Sequence, residues 1–156
     1  ILLAAAGLDR LEKTEWVRER LEPNHFCPAA GQGSLGIETR KGDTATIAAV
    51  SFLDNPATRF AITVERAALA ALGGGCQVPI GVFCRPVSPN RHNQRESESV
   101  EIFAVVAAPE TGSAVRIFHS ATRTGSDPVI LGQLVAQMLL DAGAGPLLEA
   151  VGGVKL

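Results

Sequence analysis

DNPATRFAITVERAALAALGGGCQVPIG, residues 54–81, changes its period halfway along. Asp54 or Asn55 stands where a helix cap belongs, and Pro56 suits the first helical turn. Phe60, Val64, Ala68 and Leu72 then recur at helical spacing. Gly73, Gly74 and Gly75 end the run. After them the apolar residues alternate, which is the signature of a strand with one covered face. Between the two regimes sits one thiol, Cys76. Three glycines ahead of a single cysteine cost more conformational entropy than a plain turn requires. The layout points to a thiol that something bulky must approach.

Working outward, the helix reading extends over 54–72. VPIGVFCRPV (78–87), VEIFAVVAAP (100–109) and AVRIFHSATR (114–123) read as three strands. Glu110–Ser113 joins the last two as a hairpin turn, and 88–99 is a polar loop. DPVILGQLVAQMLLDAGA (127–144) is an amphipathic helix capped by Asp127 and stopped at Gly143, and GPLLEAV adds one further turn. The order from residue 54 is α-β-β-β-α, a small α+β domain with a three-stranded antiparallel sheet. Upstream, ILLAAAGL is expected to be a buried strand, with a short helix over 10–21. EPNHFCPAAGQG (22–33) is a crossing segment, SLGIET (34–39) a strand, and 42–53 a helix capped by Asp43. These first 53 residues close into no unit of their own and call for a partner. The chain opens on an apolar run with no methionine, as the middle of a longer protein would.

The totals restrict the function classes. With 156 residues, 46% of them apolar, the chain is long enough for a real core. A formal charge of −2 without a basic run gives no support to nucleic-acid binding. The apolar stretches fall short of a membrane span. Three cysteines, Cys27, Cys76 and Cys84, with no C-x-x-C, argue against a disulfide framework or a zinc ribbon and for a reducing, cytoplasmic setting.

Three features carry candidate chemistry. GQGSLG (31–36) matches the dinucleotide fingerprint G-x-G-x-x-G, but a proline-rich crossing precedes it and an alternating run follows. A hinge is the better reading, with Gln32 able to present its amide. Cys76 lies beyond the C-terminal end of its helix, where the dipole does not lower a thiol pKa. His25, His92 and His119 sit in no recognisable nucleophile signature, so repeated thiol catalysis is a weak reading. A thiol that reacts once with a strong electrophile needs no such help. Arg10, Arg40 and Arg66 are either solvated surface charges or guanidinium groups converging on ligand carboxylates.

LAAAGLDRL (3–11), PAAGQGSLGIETR (28–40), TVERAALAALGGGCQVPIG (63–81) and the closing LLDAGAGPLLEAV together resemble the hydroxymethylbilane synthase, or porphobilinogen deaminase, family. The resemblance covers essentially the whole chain, in family order. It implies a multidomain α/β and α+β protein: two periplasmic-binding-protein-like domains followed by the small α+β domain. Residues 1–27 are then the end of the second domain, 28–53 the hinge and the return to the first, and 54–156 the third. The implied activity is transfer of four porphobilinogen units, with release of ammonia, onto a dipyrromethane cofactor thioether-linked to Cys76. Gln32, Gly75, Arg10, Arg40 and Arg66 match cofactor-binding positions, and no metal is implied. Gly73 stands where an acidic residue is usual, and Ala30 where valine is common. The family's catalytic aspartate has no counterpart here. The resemblance therefore implies an inactive C-terminal half whose partners are porphobilinogen and the missing N-terminal half, a monomer at full length. The competing class is a non-catalytic α+β binding module with a merely structural cysteine. Intact mass separates the two.

Overall fold

The computed structural model describes residues 1–74, 78–87 and 99–152. Helix α1 covers Ala5–Arg10 and α2 Thr44–Val50. Helix α3, Pro56–Ala71, is followed by strands β1 (Ile80–Pro86), β2 (Ser99–Ala108) and β3 (Ser113–Thr122). Helix α4, Pro128–Leu139, runs through a wide turn into α5, Gly145–Gly152.

The helix starts follow from local chemistry. The Asn55 side chain accepts from the N–H groups of Ala57 and Thr58, both at 3.0 Å. Asp127 does the same for Val129 at 2.7 Å and Ile130 at 3.2 Å, and Asp43 for Thr46 at 3.1 Å. Each cap satisfies donors that no intrahelical carbonyl reaches. The chain leaves α3 through Gly73, whose φ of 65° is open to glycine at little cost.

The sheet is antiparallel, in the order β1-β2-β3. Val82 opposes Ala104 and Cys84 opposes Ile102, while Ala104 in turn opposes Ile117. These residues face the helices. The alternate set, with Phe83 opposite Phe103 and Phe103 opposite Phe118, faces the other way. Val64, Ala68 and Leu72 of the α3 region meet Val82, Ile102, Val106, Val135, Leu139 and Leu148 in one core, all of them fully buried. The buried members of this core lie between Ala61 and Leu148, with Ala30 of the crossing segment packed against them.

Several upstream expectations do not hold. Residues 1–4 are irregular and exposed, and α1 replaces the predicted buried strand over 1–8. The helix expected over 10–21 shrinks to a single 3-10 turn, Thr14–Trp16, because Glu12 takes a φ of 54° and turns the chain off the helical path. SLGIET is unpaired, with Leu35 and Ile37 exposed. The reason is common to the two strands. A strand needs a neighbour for its backbone groups, and among the described residues the only sheet is β1-β2-β3. With no neighbour, the alanine run 4–6 follows its own helical preference. At the other end, GPLLEAV forms a two-turn helix rather than one turn. The helical run Pro128–Val151 is, by length and composition, long and apolar enough to cross a membrane, which the sequence reading did not foresee. It is bent at Gly143 (φ 97°), and Leu131, Val135, Leu139 and Leu148 from it are buried in the core. Of the polar segment expected over 88–99, residues 88–98 lie outside the described set.

Helices α3 and α4 meet backbone to backbone. A Cβ on Gly132 would stand 2.4 Å from the Val64 carbonyl oxygen, 2.6 Å from Ala67 Cβ and 2.9 Å from Ala68 N. A methyl there must force the helices apart, at about 1–3 kcal/mol or more. That exceeds the ~1 kcal/mol by which alanine is the better helix former. Gly132→Ala is therefore expected to lower the melting temperature by several degrees, and a thermal melt followed by circular dichroism checks it. An unchanged or raised midpoint would show that the two helices can part at this point.

Candidate functional site

The cysteine segment is held at both ends by the core unit. Its first stem is the end of α3 through Gly74. Its second stem is Val78 leading into β1. A Cβ on Gly74 would come within 2.6 Å of Leu69 Cδ1 and 2.8 Å of Ile80 Cδ1, so the two stems pack tightly where the segment leaves and returns. Cys76 and Gly75, the residues read as cofactor-bearing, lie outside the described residues.

A third strand of chain joins these stems. The crossing segment runs over the face of the sheet that the helices leave open, with Pro23 buried and Cys27 half-buried. It lies close because β1 has a glycine there: a Cβ on Gly81 would meet the carbonyl oxygens of Cys27 at 2.8 Å and Pro28 at 3.0 Å. Arg85 on β1 extends its Nε to Glu101 at 3.0 Å and one Nη to Glu22 at 3.4 Å, fastening the start of the crossing. The segment then turns over Ala30–Gly33, with Gln32 N–H donating to the Ala29 carbonyl at 3.1 Å and Gly31 at a φ of 76°. Neither a strand before this turn nor a helix straight after it is present. The next helix is α2, so the G-x-G-x-x-G letters do not form a dinucleotide site.

Glu65 connects these parts. It sits on α3 within the stripe Ala61, Val64, Ala68, at 3% exposure. Its Oε1 accepts from the Cys84 N–H of β1 at 2.9 Å, and its Oε2 accepts from the Gly31 N–H of the turn at 2.7 Å. Burial pushes its carboxyl above the usual carboxylate range, while the two backbone donors and the nearby Arg66 charge pull the other way. Sequence reasoning missed this residue. The available signal was a carboxylate occupying one position of an i, i+3, i+4, i+7 apolar stripe.

The other predicted residues fall into two groups. Arg66 follows Glu65 on α3, exposed at the surface and close enough to stabilise its charge. Gln32 is exposed beside Gly31. These two are brought to the same region. Arg10, in the last turn of α1, and Arg40, just before α2, are exposed and are not drawn into it. Among the described residues, no hydrogen bond or ion pair engages the guanidinium of Arg10, Arg40 or Arg66.

The two described thiols are poor nucleophiles. Cys27 Sγ donates to the Phe103 carbonyl at 3.4 Å. Burial foremost lifts its pKa to about 11, opposed by the Arg116 charge. Cys84 is buried against α3, and burial together with the Glu65 charge lifts it to about 12. Both stay protonated at neutral pH, and a thiol reacts as its thiolate. Among the described residues, no histidine hydrogen-bonds to either. His25 lies in an exposed turn and His119 stands on β3 opposite Ile102.

Comparison with known proteins agrees in both halves. The family model described as porphobilinogen deaminase, dipyromethane cofactor binding domain, matches residues 1–48. The one described as porphobilinogen deaminase, C-terminal domain, matches residues 59–141. A porphobilinogen deaminase of Roseiflexus castenholzii is 43% identical over 148 residues, covering 95% of this chain and 45% of the relative. That of Acidothermus cellulolyticus is 38% identical over 154 residues, covering 96% of this chain and 43% of the relative. That of Chromobacterium violaceum is 40% identical over 151 residues, covering 97% and 45%. The chain thus spans less than half the length of these relatives. On the evidence of both matches, with sheet, helices and crossing in the order described, the chain belongs to the porphobilinogen deaminase family.

Proposed function

We propose that this chain is the part of a porphobilinogen deaminase that anchors the growing tetrapyrrole, and that the whole protein joins porphobilinogen units with release of ammonia. The observation that carries the reading is the pair of family matches, the cofactor-binding description over 1–48 and the C-terminal description over 59–141, in one chain. On this reading residues 1–27 complete a second periplasmic-binding-like domain. Residues 28–53 return to the first, and 54–156 form the third. The uncovered Ile1, Leu2, Leu3, Leu35, Ile37 and Phe52 support it, because such side chains ask for an apolar partner surface. We place the protein in the cytoplasm, a reading supported by the free thiols of Cys27 and Cys84.

The residues present fit a dipyrromethane by the chemistry of their donors. Arg10, Arg40 and Arg66 are exposed guanidinium groups that are uncommitted among the described residues, as partners for a ligand rich in carboxylates must be. When bound, the dipyrromethane supplies the pyrrole carbon at which the chain is extended. Cys76 holds it through a thioether, a bond that is made once and kept. The arginines neutralise carboxylates as rings accumulate, and Gln32 offers its amide from the turn that Glu65, next to Arg66, holds.

Intact mass tests the anchor and separates this reading from a binding module with a structural cysteine. In a protein of the relatives' length carrying this chain, wild type, Cys27→Ala and Cys84→Ala should each carry the added mass of a dipyrromethane, and Cys76→Ala should not. An adduct that survives Cys76→Ala would sink the assignment. In the same protein, Arg10→Ala should weaken porphobilinogen use by about 1.5–3 kcal/mol, the worth of a charge-assisted contact. Arg10→Lys should recover little of it, because the fork of donors is lost. Steady-state kinetics decides this, and unchanged kcat/KM would remove Arg10 from the site. The 156-residue chain alone should form no hydroxymethylbilane from porphobilinogen, and recovery of turnover on adding the remainder of the relatives' length completes that test.

A further inference from the structure

We infer that Glu65 is a positioning residue: a single carboxylate that ties both stems of the cysteine segment to the turn bearing Gln32. Each of its contacts leaves its own helix. Oε1 reaches Cys84 N at 2.9 Å, across 19 residues of sequence, and Oε2 reaches Gly31 N at 2.7 Å, across 34. Glu65 lies seven residues before Leu72, roughly two turns from the end of α3, and Cys84 lies four residues into β1 after Ile80. The first contact therefore ties α3 to β1, the two stems that flank the sequence segment containing Cys76. The second contact fastens the Ala30–Gly33 turn to the same two stems. Because the two oxygens serve different segments, rotating the carboxylate to improve one bond loses the other. The stems and the turn are thus held as one body. At 3% exposure, water is poorly placed to replace either bond.

The inference rests on the proposed function only for its kinetic consequence. A protein of the relatives' length carrying this chain is compared with its Glu65→Gln variant. Glutamine keeps the volume but has one acceptor oxygen, so its NH2 group is turned against one of the two backbone N–H groups. Hydrogen exchange should quicken about tenfold or more at whichever of the Gly31 and Cys84 amides is left facing the NH2 group, the loss of a charge-assisted bond, while Ile102 and Ala104 in β2 stay within about twofold. The rate of porphobilinogen turnover, kcat, should fall about tenfold with KM little changed, since the variant displaces the anchor and leaves the substrate arginines in place. Unchanged exchange at Gly31 and Cys84 would overturn the inference. So would a uniform rise that includes Ile102 and Ala104, which marks a plain loss of stability. If the wild type itself turns over no porphobilinogen, the functional reading falls, and the exchange at Gly31 and Cys84 alone upholds or overturns the tie.

Discussion

The Glu65 carboxylate, accepting from Gly31 and Cys84, is the contact on which the arrangement of the other parts depends. Without it, the helix–sheet unit would retain its apolar core, and the crossing segment would still lie over Gly81 and Arg85. What it adds is definition. Apolar packing is indifferent to small slides, whereas two short hydrogen bonds to two different backbones fix a register. The choice of a carboxylate carries a cost, since burying the charge lifts its pKa. The cost is offset by two backbone donors and by Arg66 alongside. An apolar residue in its place would avoid the cost and leave two N–H groups without acceptors.

The position on β1 adds a second role. With the order β1-β2-β3, β1 is an edge strand, and an edge offers unpaired donors and acceptors to any passing strand. Glu65 occupies one of those donors at Cys84. Arg85 and the crossing segment shield the outer face beside it: the Arg85 guanidinium lies 5.4 Å over the Phe103 ring, and Phe103 in turn leans on Phe118 at 5.1 Å. Among the described residues edge β3 has no such cover, and its outward residues Arg116, Phe118 and Ser120 are exposed.

The second half of the chain was legible in its sequence because its signals are local. Asn55 and Asp127 cap helices through their own neighbours. Val64, Ala68 and Leu72 mark a face by spacing alone, and the turn expected at Glu110–Ser113 falls one residue earlier, on the four adjacent residues Pro109–Gly112. The first 53 residues were not legible in the same way. The run ILLAAAGL reads as a strand by composition, yet a strand exists only where a neighbour pairs it, and composition says nothing of neighbours. Of the site, the cysteine segment and the hinge turn stood out through their glycines. Glu65 did not, because its role comes from two partners 19 and 34 residues away. The same limit applies to Arg10, Arg40 and Arg66, whose spacing in sequence cannot show whether they converge.

The docking of the crossing segment also sets an order of events during synthesis. Cys27 leaves the ribosome 76 residues before Phe103, whose carbonyl receives its thiol hydrogen. At bacterial or eukaryotic elongation speeds that gap lasts roughly 4–15 seconds. Throughout it, Gly81 and the Phe103 strand do not yet exist as the surface on which Cys27 and Pro28 come to lie. The crossing segment is therefore synthesised before the strands on which it docks.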